Sequence, residues 1–280
     1  MTLKPKVYGL IGSPIQHSLS PCMHNAAFSA LKIKAQYKLF QLEPDQLEGF
    51  LGSLKNKNIS GFNVTYPYKE EIVRFLNSKT LGVKEIGAAN TVILDKRGKL
   101  KGFNTDYLGF KAHLAELKLK PKKVALIGAG GAAKAVCFAL AKMKITQLCI
   151  YDIDKFKSLS LFKKLNSYFP KVKFDVASCI EDLKIPDKDL LINASPIGMH
   201  QSDPCLIAPE DLHAGLFVYD LIYNPPQTKL ISLAKVRNLN FSNGLGMLLY
   251  QGVFAFEYFT HKKAPIKIMQ EALTKGAQKI

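Results

Sequence analysis

Val124-Ala125-Leu126-Ile127-Gly128-Ala129-Gly130-Gly131-Ala132-Ala133 is the stretch on which the fold turns. Its four leading apolar residues read as a short buried strand, and the alanine-rich run from about Gly131 to Lys142 as a helix. Between them stands G-x-G-x-x-A. Gly128 permits a tight turn, Gly130 lets the backbone approach a pyrophosphate, and small Ala133 lets the helix pack on the sheet. The helix start offers unpaired N–H groups and a partial positive charge to phosphates. A lone glycine pattern also fits a flexible loop; the strand before it and the helix after it favour a dinucleotide site. Asp152 adds to this, because it ends the next strand, Gln147–Tyr151, where a carboxylate can accept both hydroxyls of an adenosine ribose. A carboxylate there repels the extra 2′-phosphate of NADP. The competing reading is an aspartate that caps the following helix, and Lys155 and Lys157 lie close by.

Working outward, apolar strands alternate with helical patterns along the whole chain, the signature of an α/β protein. Upstream, strands are predicted at Lys6–Gly12, Ala35–Leu42, Gly61–Thr65 and Asn90–Leu94. Helices are predicted at Pro21–Leu31, Asp45–Leu54, Pro67–Leu76 and Asp106–Leu117. Downstream of the glycine stretch follow a helix at Lys155–Ser167, strands at Leu190–Ala194 and Phe217–Leu221, and a helical tail from Leu245. Lys120-Pro121-Lys122-Lys123 is a polar break between two series, so two domains are the natural parse.

Composition narrows the function classes. Hydrophobic residues at 48% and charged residues at 22% exclude general disorder, and no apolar run reaches bilayer length. Met1–Val7 lacks the apolar core of a signal peptide, so a cytoplasmic protein is expected. The net charge of +17 invites a nucleic-acid reading, yet only Arg74, Arg97 and Arg237 are arginines and the lysines are scattered. A solvated lysine surface, or a field that attracts anionic ligands to a cleft, explains the charge better. Cys22, Cys137, Cys149, Cys179 and Cys205 form no C-x-x-C and read as reduced, mostly buried thiols. The histidines form no metal motif, so no metal is expected.

The first half carries a second group of signals. Ser18-Leu19-Ser20-Pro21 sets two hydroxyls before a helix; Ser20 can cap that helix, or the pair can bind a carboxylate. Asn63 and Thr65 share one face of a strand, and Lys69 falls in the first turn of the predicted helix. There an ammonium opposes the helix dipole, which would suit it to proton transfer. Asn104-Thr105-Asp106 precedes a helix and can be a plain cap. Asn90, Asn193 and Gln251 are unremarkable when taken singly.

Together these segments resemble the shikimate dehydrogenases, including the related quinate/shikimate dehydrogenases, over essentially the whole chain. Ser18-Leu19-Ser20-Pro21 resembles the loop that holds the substrate carboxylate, and Asn63-Val64-Thr65 with Lys69 the N-V-T-x-P-x-K segment of the catalytic lysine. Gly87-Ala88-Ala89-Asn90-Thr91 and Asn104-Thr105-Asp106 are similar to the family's G-A-x-N-T and N-T-D. Gly128–Ala132 resembles the cofactor loop, Asn193–Met199 the strand and loop beside the nicotinamide, and Tyr223 and Gly244–Gln251 complete the set.

The resemblance implies an N-terminal α/β substrate domain at 1–105, completed by helices at 241–280, and a Rossmann-like doubly wound domain at 106–240, with the cleft between them. It implies NAD(P)-dependent reduction of 3-dehydroshikimate to shikimate, in the biosynthesis of chorismate and aromatic amino acids. Lys69 and Asp106 are then the catalytic pair, and Ser18, Ser20, Asn63, Thr65, Asn90, Tyr223 and Gln251 hold the substrate. Gly128, Ala129, Gly130, Gly131, Ala132, Asp152, Leu221, Gly244 and Met247 hold the cofactor. The expected partner is a small molecule, with no nucleic acid or membrane, and the chain is a monomer or homodimer. One departure stands out: many NADP-dependent members have Asn-Arg-Thr where this chain reads Tyr151-Asp152-Ile153-Asp154, and no arginine occurs from 98 to 236. NAD is therefore favoured over NADP. An NAD-dependent enzyme of quinate breakdown and a non-catalytic quinate or shikimate sensor are the alternatives.

Overall fold

The computed structural model describes residues 4–279; Met1–Leu3 and Ile280, at the ends of the expected substrate domain, lie outside the described residues. The chain opens with β1 (Lys6–Gly12), α1 (Ser20–Ala30), β2 (Ala35–Gln41), α2 (Leu47–Ser53) and β3 (Ile59–Val64). Two strand-to-helix crossovers force these three strands to run parallel, with β1 in the middle. The chain continues through a short 3₁₀ helix, Glu71–Phe75, into β4 (Ser78–Lys79), α3 (Leu81–Ile86), β5 (Thr91–Leu94) and β6 (Leu100–Phe103). Here the sheet turns antiparallel, giving the order β2-β1-β3-β5-β6-β4. Ile11, Phe62, Val64, Ile72 and Val92 are among the residues filling the core on one of its faces.

The helix expected at 67–76 does not form. Lys69 sits in a turn, because its carbonyl accepts from Ala89 N at 2.8 Å and is lost to an i→i+4 ladder. Tyr68 is buried, and its hydroxyl donates to Leu42 O at 2.9 Å, which pins the turn by a tertiary contact. With no helix beginning at 67, no helix dipole acts on Lys69.

The second series begins after α4 (Asp106–Glu116) with β7 (Lys123–Ile127), α5 (Gly131–Lys142), β8 (Gln147–Tyr151), α6 (Lys155–Tyr168) and β9 (Lys173–Val176). It goes on through β10 (Leu190–Asn193), β11 (Phe217–Asp220), α7 (Lys229–Val236) and β12 (Asn240–Ser242). All six strands are parallel, in the order β12-β11-β10-β7-β8-β9. The order reverses between β7 and β10, and in doubly wound sheets ligands bind outside the strand ends at that point. Parallel strands covered on both faces need continuous apolar runs, which Val124–Ile127 and Leu190–Ile192 supply.

The tail forms two helices, α8 (Leu245–Thr260) and α9 (Ile266–Ala277), separated at Lys262-Lys263-Ala264-Pro265. The chain divides into two compact units, Met1–Gly109 with Leu249–Ile280, and Phe110–Leu248. Both divisions fall inside helices, α4 and α8, and not at 105/106, at 240/241 or in the Lys120–Lys123 stretch. Asp106 thus belongs to the first unit, and residues 241–248 to the second. Cys137 and Cys149 are buried, but Cys179 and Cys205 are exposed and Cys22 is intermediate, so burial is not the general state of the thiols.

Candidate active site

In the first unit, most of the residues expected to bind substrate gather at one end of the sheet. Lys69 Nζ lies 2.7 Å from Asp106 Oδ2, with 18% and 7% of the two side chains exposed. Asp106 Oδ1 accepts from Asn90 Nδ2 at 2.7 Å, so both carboxylate oxygens are engaged. Asp106 is the first residue of α4, where a carboxylate suits the helix dipole. Asn104 takes the capping role, accepting from Tyr107 N at 3.3 Å, which leaves Asp106 free for its other partners.

Asn90 is the hub. Its Oδ1 accepts from Thr105 N at 2.6 Å, and its Nδ2 lies 3.4 Å from Gln251 Oε1 on α8. Gly109 lets α8 reach this place, since a Cβ there would stand 2.5 Å from Gln251 N. Thr65 follows β3 beside Lys69, packed against Gly12. Ser18 is half-buried and its Oγ accepts from Ser20 N at 3.3 Å, while Ser20 is the first residue of α1 and not its cap. Asn63 differs from its neighbours. Both of its amide hydrogens go to protein, to Asn90 O at 3.0 Å and Thr91 Oγ1 at 2.9 Å, and its Oδ1 accepts from Tyr37 at 2.8 Å.

In the second unit, the glycine loop has the shape its residues dictate. Gly128 has φ +106°, and a Cβ would stand 2.7 Å from Ala194 O, so only glycine fits where the ends of β7 and β10 meet. Gly130 faces open space, and it heads α5 without any side-chain cap, leaving the first N–H groups of that helix, from Gly131 and Ala132 onward, for an anion. This cradle fits the pyrophosphate of a dinucleotide. Asp152 closes it from behind: Oδ2 accepts from Ala129 N at 2.6 Å and Oδ1 from Asp154 N at 2.8 Å. Asp154, not Asp152, caps α6, through Phe156 N and Lys157 N. A carboxylate has about four lone-pair sites, so Asp152 keeps acceptor capacity for a ribose. Ile153, beside it, is 94% exposed.

Leu221 and Gly244 meet backbone to backbone, leaving no room for a side chain at 244, and Met247 is buried on the first turn of α8. Tyr223 is half-buried in the loop after β11. Asn193 Oδ1 accepts from Ser195 Oγ at 2.7 Å, and its Nδ2 donates to Asp220 Oδ1 at 3.1 Å. Asp220 escaped the sequence analysis. It is fully buried and takes Thr228 Oγ1 at 2.7 Å and Ile222 N at 3.1 Å, and burial raises its pKa above the usual carboxylate range. The eight-residue spacing to Thr228 around Pro225 was the available signal. The Tyr219 hydroxyl and His113 Nδ1, 2.5 Å apart, form another buried pair that periodicity alone could not reveal.

Comparison with known proteins finds one family along the chain. Residues 10–92 match the shikimate dehydrogenase substrate binding domain, and residues 244–274 the shikimate 5′-dehydrogenase C-terminal domain. The chain is 40% identical over 258 residues, 91% of each chain, to the shikimate dehydrogenase (NADP(+)) of Caldanaerobacter subterraneus subsp. tengcongensis. A crystal structure of a shikimate dehydrogenase in complex with NADP+ superposes with a TM-score of 0.89 at 38% identity, covering 97% of this chain and 96% of that one. The shikimate 5-dehydrogenase of Listeria monocytogenes, in complex with shikimate and NAD, gives 0.87 at 33% identity, with 97% of each chain covered.

Proposed function

The chain belongs to the shikimate dehydrogenase family, and from that premise we propose how its own residues carry the reaction. It is an oxidoreductase of a CH–OH group that reversibly reduces 3-dehydroshikimate to shikimate with NAD or NADP, a step toward the aromatic amino acids. The observation that carries the assignment of roles is the largely buried Lys69–Asp106 pair at 2.7 Å. Lys69 exchanges the hydroxyl proton of the reacting carbon, and Asp106 orients that hydroxyl and keeps the ammonium in place. Asn90 holds Asp106 in register. Ser18 and Ser20 grip the ring carboxylate, and Thr65, Gln251 and Tyr223 bind the remaining polar groups of the ligand. The nicotinamide, when bound, supplies and takes the hydride. The free thiols suit a cytoplasmic enzyme, working as a monomer or homodimer.

The finer reading concerns cofactor and substrate. NAD serves at least as well as NADP, because Asp152, exposed Ile153 and Asp154 stand where a 2′-phosphate needs a cation, and no arginine lies between 98 and 236. Lys157 Nζ is turned to Asp154 at 3.6 Å, which spends part of its charge locally. Quinate, with an extra hydroxyl on the carboxylate-bearing carbon, is slower than shikimate, since an unpaired buried hydroxyl costs about 1–3 kcal/mol. The test is a steady-state assay of shikimate and quinate, each with NAD and with NADP. A strong preference for NADP overturns the cofactor reading, and a kcat/KM for quinate equal to or above that for shikimate overturns the substrate ranking.

A further inference from the structure

Tyr37 lies on β2 and Asn63 on β3, with β1 between them. Tyr37 is paired with Tyr8 and Asn63 with Leu10, two residues apart on β1, so both side chains project to one face of the sheet. Tyr37 is 2% exposed, and its hydroxyl donates across β1 to Asn63 Oδ1 at 2.8 Å. His24 stacks on the Tyr37 ring at 4.4 Å and 3°, and both its ring nitrogens are buried without a partner. The histidine thus serves the tyrosine as an aromatic wall.

Beyond Asn63 the bonds run on toward the reacting pair. Asn63 Nδ2 donates to Asn90 O and Thr91 Oγ1, the Thr91 and Thr105 hydroxyls share a hydrogen at 3.1 Å, and Asn90 Nδ2 reaches Asp106. Asn63 has no amide hydrogen left for a ligand. It works from behind the site, and Tyr37 is the donor that completes its bonding.

We propose that Tyr37 is a positioning residue of the substrate site: its hydroxyl holds Asn63, and through it Asn90, in the arrangement that receives the substrate. The inference rests on the shikimate reading above. Tyr8 provides the contrast. It is equally buried on the same face, but its hydroxyl donates at 3.0 Å to the backbone oxygen of Phe259, not to a residue assigned to the ligand.

Tyr37→Phe and Tyr8→Phe each remove one buried hydroxyl, so a merely structural role predicts similar behaviour. Tyr37→Phe is expected to raise the KM for shikimate about tenfold, the scale of one misplaced buried hydrogen bond. Its kcat should fall less, because Lys69 and Asp106 keep their own contact, and the KM for the nicotinamide cofactor should hold. Tyr8→Phe should leave both KM values in place. If Tyr37→Phe does not fold, 3-fluorotyrosine at position 37 keeps ring and hydroxyl but changes its donor strength, and should shift the shikimate KM by about twofold or more. An unaltered chain that oxidises no shikimate sinks the functional reading. A fully active one whose shikimate KM ignores the change at position 37 sinks this inference alone.

Discussion

Removing one member of the Lys69–Asp106 pair does two things at once. It deletes a proton-transfer or orienting group, and it leaves the other charge largely buried beside Asn90. Lys69→Ala is expected to lower kcat by about two to four orders of magnitude, the scale for a positioned acid–base group. Asp106→Asn preserves the shape of the side chain and should cost turnover similarly, with shikimate still bound, because the serines and Gln251 remain. Stopped-flow turnover together with calorimetric binding of shikimate checks both; near wild-type kcat in either variant contradicts the roles. The family resemblance named this pair, 37 residues apart, but not its geometry. No helix dipole bears on Lys69, contrary to expectation, since the lysine lies in a turn.

At the scale of elements, the β7–α5 and β8–α6 turns act as one device. Asp152, at the end of β8, receives the backbone N–H of Ala129 inside the glycine loop. Asp152→Ala therefore loosens the pyrophosphate cradle as well as removing the ribose acceptor. The KM should rise for both cofactors, and more for NAD, so that any preference for NAD shrinks by about tenfold. Parallel titrations of NAD and NADP read this directly; a rise confined to NADP would contradict it. Elements marked by an apolar run or a glycine turn, such as β1, α5 and β8, were legible in the sequence. The segments β4, α3, β6, β9, α7 and β12 were missed, because they are short and lack the continuous apolar run that marks β10 or the glycine turn that marks α5. The false helix at 67–76 has the opposite cause: local propensity was adequate, but Ala89 and Leu42 compete for its polar groups.

For the whole molecule, two buried groups give stability opposite slopes with pH. His24 is fully buried, and desolvation lowers its pKa from 6.5 to about 3. Its contribution is intact above 6.5 and is lost as pH falls toward 3, at about 1.4 kcal/mol per pH unit. Asp220 has a raised pKa, also from burial, so its penalty grows as pH rises above the ordinary 3.8 and eases on acidification. Acid is thus expected to weaken the unit carrying His24 first. Between pH 7 and pH 4.5 the His24 term costs about 3 kcal/mol, and His24→Phe should remove most of that slope. Urea unfolding at the two pH values measures it, and an unchanged slope in the variant would falsify the assignment.

The sequence by itself determined the α/β class, the dinucleotide loop and the family, because glycine geometry, strand–helix alternation and ordered motifs are local properties of the chain. It also supplied the names of the residues around the Lys69–Asp106 pair. Only the tertiary structure decided which protein groups their polar atoms are bonded to. Asn63 looked like a ligand group and is committed to Asn90, Thr91 and Tyr37. Tyr37 and Asp220 looked like ordinary strand residues and are bonded to Asn63 and Asn193. A buried donor must find an acceptor, and the partner it finds is set by the packing of strands distant in sequence, which no local pattern records.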